Sequence, residues 1–599
     1  MKRFGVLLLS LLAACQADQT GPRLISTAAR TVSQAAANDD GPPSSYPFGP
    51  DTYRTRIFTG TGRQGLDCAA TSDGGRICDG YFRSSVDQTL LDTRLEIPPG
   101  TGPFPLVALI HGYGGSKTSS GDIAARLLAD GYAILRYSTR GFGNSWGQVN
   151  LADLNAEIGD LHSMIGRVVD EPDYDINPDA VAVAGASYGG GHSWLALIDP
   201  TFETKKKNTV RIRAVVPIAP WTDLIYSLLP NGRPNHSIDG IGGLKLSYVN
   251  GLYASGIRTD ATRPYPNYPD YLVSWHAYMN VTEPSSFDPT WKEITDGLAV
   301  GRSIWWQKSF WKTVARNRVP VFQVQGFTDD LFPLPEAKRM LLALQTVAPG
   351  YPITSYFGDL GHPRATNQPD EVAYVLSLIE PWLAYYLKGE GTAPVPSIYA
   401  ARTDEPFNSG SGHVIQFADW TQFAADSITQ EWDGYPTPLV NPVTFVGSGT
   451  PWDPFVDYTG DPLQPYLATP PASDVVAGDL FTFLYSPSPP QSITIAGQPR
   501  VTLDAVVAGH RVQIDVRLID VGDGRERLIT RGTVTLDAGA ALDVGARQIE
   551  IPTYGNFWTV PTAHTIRLEI SNVDSPYLTP SKEPSTTLIT KVKLWIPTR

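Results

Sequence analysis

The segment that most constrains this chain is Gly185-Ala186-Ser187-Tyr188-Gly189, which follows the apolar strand Ala180 to Ala184 and leads into a stretch that reads as a helix. A serine on such a tight strand-to-helix turn is a nucleophile elbow. Glycines on either side remove the side chains that would collide in the turn, and the turn lifts Oγ toward a substrate. Short strings of this form also arise by chance, so the surrounding pattern has to decide.

Downstream, the strand Val319 to Gln325 ends in Gly326-Phe327-Thr328-Asp329, followed by Asp330-Leu331-Phe332-Pro333. After a helical stretch, Leu334 to Thr346, a short strand from Ile353 to Gly358 ends in Asp359-Leu360-Gly361-His362. Serine, acid and histidine thus occur in the order of an α/β-hydrolase, each past a strand's C-terminal end, where open α/β sheets place their sites. Ser187 is the expected nucleophile, His362 the base and Asp329 the residue that orients the imidazole. Asp330 is the rival carboxylate. Asp329 is preferred because the acid sits three residues after the glycine that ends the strand, which leaves Asp330 to point away or to cap the next segment.

An acyl-transfer site also needs donors for a developing oxyanion. One is the backbone N–H of Tyr188, after the nucleophile. The other is expected from the loop His111-Gly112-Tyr113-Gly114-Gly115, which follows the strand Phe104 to Ile110. His111 reads as a structural member of that turn.

The Ser187-Tyr188 pair, Tyr113 and the segment Arg140-Gly141-Phe142-Gly143-Asn144-Ser145-Trp146-Gly147 resemble the Xaa-Pro dipeptidyl peptidase, cocaine esterase and glutaryl-acylase family of α/β-hydrolases. The resemblance implies a serine hydrolase of ester or amide bonds, with the Tyr113 hydroxyl joining the Tyr188 N–H in the oxyanion hole. Members often carry Pro-Tyr-Asp where this chain has His-Gly-Tyr-Gly-Gly, so a backbone N–H of Tyr113 or Gly114 is the alternative donor. The Arg140 segment is expected to serve as the turn from one strand to the next helix. The family also carries a C-terminal jelly-roll sandwich. Alternating runs such as Arg500 to Val506, Arg511 to Leu518, Leu528 to Leu536 and His564 to Ile570 read as its antiparallel strands.

The expected organisation is therefore an α/β-hydrolase domain in two parts, 51–220 and 313–395, an inserted helical lid, 221–312, and an all-β sandwich, 396–599. The lid is inferred from the 141 residues between Ser187 and Asp329, which exceed what a bare hydrolase sheet needs. It holds six of the 14 tryptophans, Trp221, Trp275, Trp291, Trp305, Trp306 and Trp311. Such aromatics either line an apolar acyl pocket or form the lid's own core. A dipeptidyl peptidase would need a carboxylate for the substrate's ammonium; Asp223 is a candidate, with a helix N-cap as its competing role.

Met1-Lys2-Arg3, the apolar run Phe4 to Ala14 and Leu12-Ala13-Ala14-Cys15 resemble a bacterial lipoprotein signal, residues 1–15, with Cys15 as the acylation site. A polar tether, 16–50, would follow, holding the protein on the cell envelope outside the cytoplasm, with Gln16 favouring the outer membrane. With Cys15 lipidated, only Cys68 and Cys78 remain, ten residues apart, and a disulfide is expected in an oxidising compartment. Neither a cofactor nor a metal is called for; the acidic run Asp170 to Asp179 lacks the glycine and closing glutamate of a calcium loop. A net charge of −13 argues against nucleic acid, leaving a small-molecule or short-peptide acyl substrate and the membrane as partners. The reading from another class is a catalytically inactive, lipid-anchored binding protein on a hydrolase scaffold.

Overall fold

The computed structural model describes residues 59–599 except 231–242, 259–264, 282–284, 286, 411, 442–479, 540, 575–576, 580 and 582. Cys15, its signal segment and the 16–50 tether lie outside the described residues.

Twelve strands form one sheet among the described residues. A hairpin of β1 (Gly65–Ala70) and β2 (Arg76–Arg83) leads through β3 (Leu90–Ile97) into a parallel centre. That centre comprises β4 (Phe104–Ile110), β5 (Ala133–Tyr137), β6 (Ile176–Ala186), β8 (Thr209–Ile218), β9 (Val321–Gly326) and β10 (Ile353–Gly358), in the order β5-β4-β6-β8-β9-β10. The short β7 (Thr201–Glu203) pairs with β8 at the side. Central strands such as Phe104–Ile110 are almost continuously apolar because both faces are covered by helices. In β4, Leu106, Ala108 and Ile110 enter one core while Val107 and Leu109 enter the other, the period of two that a strand imposes.

The sheet does not stop near residue 395. β11 (Ile398–Ala401) pairs parallel with β10, and β12 (Val414–Phe417) closes the edge antiparallel. Loss of helical periodicity after about Pro396 marks a change to strands but not which sheet accepts them, so the sequence reading places both segments in the C-terminal part. Beyond them, among the described residues, a seven-stranded and a four-stranded antiparallel sheet face each other. Val501, Leu503, Ile589 and Leu594 of the first share one core with Ile514, Val516, Leu568 and Ile570 of the second, which makes this part a β-sandwich.

Between β8 and β9 lie helices Leu224–Leu228, Leu246–Gly256, Asp270–Val281, Pro289–Val300 and Lys308–Asn317. The last runs past Lys312, where the sequence reading ended the lid, and stops at Arg318 in the left-handed region, just before Val319-Pro320. These helices cover the C-terminal ends of the parallel strands.

Candidate active site

Ser187 sits between β6 and the helix Tyr188–Leu195, with φ 55° and ψ −114°. A non-glycine residue at such angles is strained and persists only where its surroundings fix it. Here its N–H donates to the Ile218 carbonyl (2.8 Å) and its carbonyl accepts from Gly191 (3.0 Å). A Cβ on Gly185 or Gly189 would run into the Ile110 carbonyl, so both glycines are required by close approach of the β4 backbone.

The turn after β9 and the loop after β10 converge on this serine. His362 Nδ1 donates to Asp329 Oδ2 (2.9 Å), which leaves Nε2 to accept the Ser187 hydroxyl proton (2.8 Å). Asp329 Oδ1 is occupied by the backbone N–H groups of Leu331 and Phe332 at 3.0 and 2.8 Å, so the carboxylate is fixed at both ends. Ser187, Asp329 and His362 are 3, 1 and 0% exposed, respectively. Asn367 clasps the histidine loop through the Gly361 N–H and carbonyl (2.8 and 2.9 Å). Asp330, the rival acid, turns away to Arg364 Nε (2.9 Å).

Tyr188 opens its helix, where the first N–H groups lack intrahelical acceptors and the helix dipole favours negative charge. Its phenol is buried, donating to Glu157 Oε1 (2.9 Å) and accepting from the Ala152 N–H (2.8 Å). Tyr113 packs edge-on against Phe142 and Tyr188 (centroids 4.8 and 5.3 Å), so the Arg140 segment buttresses the two tyrosines as well as forming a turn. That segment is itself pinned by Arg140 to Asp160 (2.7 Å) and Asp87 (2.9 Å). The Tyr113 hydroxyl donates to Tyr268 Oη (2.9 Å) in the resting enzyme. His111 is structural: Nε2 accepts from Thr139 N–H (2.9 Å), so Nδ1 donates to the Gly112 carbonyl (2.6 Å). Burial lowers its pKa to about 4, which keeps it neutral.

Ser187, Tyr113 and Tyr188 open into a cavity of about 110 Å³ roofed by the lid. Trp221, Leu252, Tyr253, Leu272, Trp275 and Met279 are among its walls, and no Asp, Glu, Lys or Arg is found among the described lining residues. Of the six lid tryptophans, Trp221 and Trp275 belong to the pocket; Trp305 and Trp311 pack edge to face on one another (5.4 Å) in the lid's own core. Asp223 does not reach the pocket. It caps the helix Leu224–Leu228 through Oδ1 and lies 3.4 Å from Arg339. Cys68 and Cys78 oppose one another across β1 and β2 and are disulfide-bonded. No cluster of metal-ligating side chains occurs among the described residues.

With this geometry in hand, the comparison with known proteins is specific. Residues 87–360 match the family model of the X-Pro dipeptidyl-peptidase (S15 family). The match begins just before β3, takes in Ser187 and Asp329, and ends two residues before His362. An α-amino acid ester hydrolase shares the fold over 93% of this chain and 100% of its own, with TM-score 0.60 and 15% identity. An aminopeptidase from a marine sediment Thaumarchaeota archaeon aligns over 92% and 100%, with TM-score 0.61 and 15% identity. A CocE/NonD family hydrolase from Staphylococcus aureus gives 93%, 99%, 0.55 and 11%. At these identities what is shared is the fold. A quorum-quenching protein, AidA, from Acinetobacter baumannii (strain MDR-ZJ06) is 32% identical over 123 residues, which span 20% of this chain and 36% of that relative. Family match and geometry together indicate a hydrolase of ester or amide bonds.

Sequence reasoning named the aromatics but not the aliphatic wall of the pocket. Leu272, Trp275, His276 and Met279 recur at i, i+3, i+4 and i+7 along the helix Asp270–Val281, a spacing that marks one helix face and could have singled them out. Glu157 and Lys245, buried polar residues close to the catalytic groups, carried no sequence signal.

Proposed function

We propose that the protein is a serine hydrolase that cleaves carboxylic esters of apolar acyl groups through a Ser187-bound acyl-enzyme. The observation that carries this reading is the lining of the cavity against Ser187, apolar and without a carboxylate among its described residues. A peptidase that recognises a free N-terminus must give the substrate's ammonium a partner, because burying an unpaired charge costs many kcal/mol. Asp223, which could have been that partner, is committed to a helix cap and Arg339. Neutral acyl chains pay no such cost and gain about 0.8 kcal/mol per buried methylene, roughly fourfold in kcat/KM.

In the reaction the Ser187 proton passes to His362 Nε2 as Oγ attacks the acyl carbonyl, while Asp329 stabilises the imidazolium. The Tyr188 N–H and the Tyr113 loop receive the oxyanion, and His362 returns the proton to the leaving alkoxide. Water then repeats the sequence on the acyl-enzyme. Cys15 anchors the protein to the cell envelope, a reading supported by the Leu12-Ala13-Ala14-Cys15 string.

The test is a panel on the purified protein: nitrophenyl acetate, butyrate, hexanoate and octanoate against Xaa-Pro nitroanilides. Rising kcat/KM along the ester series with negligible anilide turnover is expected. Anilide hydrolysis matching the esters would restore the dipeptidyl-peptidase reading, and no turnover or fluorophosphonate labelling would leave a binding protein.

A further inference from the structure

We propose that Lys245 is a positioning residue for catalysis, joining the lid and the C-terminal sandwich to the turn that carries Asp329. The inference rests on the triad chemistry proposed above. Lys245 precedes the lid helix Leu246–Gly256 and is fully buried. Its Nζ donates to the carbonyls of Asp330 (2.6 Å) and Leu331 (2.9 Å), the two residues after the catalytic acid. Beneath it lie the rings of Tyr554 and Tyr577, 5.4 and 5.2 Å from Nζ, both supplied by the sandwich part and joined by a hydrogen bond of 2.7 Å. The neighbouring residue extends the junction: the Leu244 carbonyl accepts from the Thr579 N–H (2.8 Å) in an isolated bridge between lid and sandwich.

The same turn is held at its side chain. Asp330 accepts from Arg364, two residues past His362, and Arg531 of the strand Arg525–Asp537 approaches its other oxygen at 3.9 Å. The Arg531 guanidinium stacks over Tyr577 at 4.3 Å. Three cations from the lid, the histidine loop and the sandwich therefore grip one turn. The first residue of that turn bonds His362, so a loosened turn displaces the acid from the imidazole. A misplacement of about 1 Å in a catalytic group can cost about 10²-fold in rate.

A buried ammonium is costly, and such groups persist where they are paired or used. The charges facing Lys245 are Asp330, Asp329 and Glu336, which favour its cation, and Arg531, which opposes it; burial prevails and lowers its pKa to about 7. An uncharged amine still has two N–H donors, enough for both carbonyls, so substitution rather than pH is the test of its role.

In the full chain, Lys245→Met should lower kcat on the preferred ester at least tenfold with KM within about twofold, because Lys245 is not among the pocket's lining residues. Weaker support of the imidazolium by Asp329 should also shift the acid limb of kcat/KM to lower pH, which a merely structural residue would not do. Tyr577→Leu, which removes the ring under both cations and leaves Lys245 in place, should act in the same direction and carries the test if Lys245→Met does not fold. A folded variant of either kind with kcat within twofold of wild type and an unmoved acid limb would overturn the inference. Failure of wild type itself to turn over esters or label with fluorophosphonate would overturn the hydrolase reading and this inference with it.

Discussion

Tyr113→Phe separates the two ways in which this site can bind an oxyanion. In the resting enzyme the single phenolic proton of Tyr113 is given to Tyr268, whose own proton goes to the Tyr253 carbonyl (3.0 Å). Burial first, then the neighbouring Tyr268 hydroxyl, holds the Tyr113 pKa well above its ordinary value, so the group is a donor at any working pH. To serve the oxyanion it must exchange its bond to Tyr268 for one to the substrate oxygen. The bond given up is neutral and worth about 1 kcal/mol, while a preorganised donor to a developing oxyanion contributes about 2.7–4 kcal/mol. The difference, about 1.7–3 kcal/mol, predicts that Tyr113→Phe lowers kcat about 20- to 150-fold with little change in KM. Tyr268→Phe makes the reciprocal prediction: the Tyr113 proton is released in advance, and kcat should hold or rise by up to about fivefold. Steady-state kinetics on one nitrophenyl ester at saturating and limiting concentration reads both. If Tyr113→Phe stays within about threefold of wild type, the phenol plays no such part, and the N–H groups between His111 and Gly115 act with that of Tyr188.

Ser187→Ala should abolish fluorophosphonate labelling without lowering the melting temperature by more than a few degrees; a mutant that still labels would remove the nucleophile assignment. Asp329→Asn should reduce kcat by about 10⁴-fold, the scale for a triad aspartate. Asp330→Asn should cost far less rate than Asp329→Asn while also lowering the melting temperature, since it leaves Arg364 facing a neutral amide inside the protein and loosens the turn only indirectly. Glu371, buried against Tyr356 and the Asp359 N–H (both 2.9 Å), has its pKa raised to about 8, chiefly by burial. Its folded pKa exceeds its unfolded value, so stability should be full below about pH 4.5 for this group and fall as pH rises toward 8. Glu371→Gln should flatten that slope in a series of thermal melts, and an unchanged slope would count against it. Cys15→Ser should abolish incorporation of a clickable fatty acid, and equal labelling of wild type and variant would refute lipidation there.

The triad could be read from the sequence because each member is tied to a local pattern. A glycine-flanked serine after an apolar strand, and an acid and a histidine each just past a strand end, are set by backbone geometry that short segments encode. Asp329 was distinguished from Asp330 by register alone, and the structure shows what register cannot, namely that Arg364 claims the second carboxylate. Tertiary pairing was not legible in the same way. Ile398–Ala401 and Val414–Phe417 follow the point where helical periodicity is lost, as the sandwich strands do, yet they extend the first sheet because the open edge of β10 accepts them. The pocket wall was legible only in part: tryptophan and tyrosine stand out in a lid sequence, while Leu252 and Leu272 look like any helix's buried face. Lys245 gave no sign at all, since a lysine before a helix is ordinarily solvated, and only packing against Tyr554 and Tyr577 makes it unusual.

Selectivity and rate are consequently held by different parts of the chain. Leu272 and Met279 line the pocket from the lid and are not part of the turn that carries Asp329, so substitutions there should shift preference along the ester series through KM. The turn after β9 reaches the pocket through Phe332, whose ring lies edge-on to His362 (4.9 Å) and lines the cavity. Phe332 is therefore where support of the His362 ring and the wall of the pocket meet. Phe332→Leu should disturb both, lowering kcat and flattening the dependence on chain length together; a change confined to one of them would show that the ring serves only as wall or only as support for the imidazole.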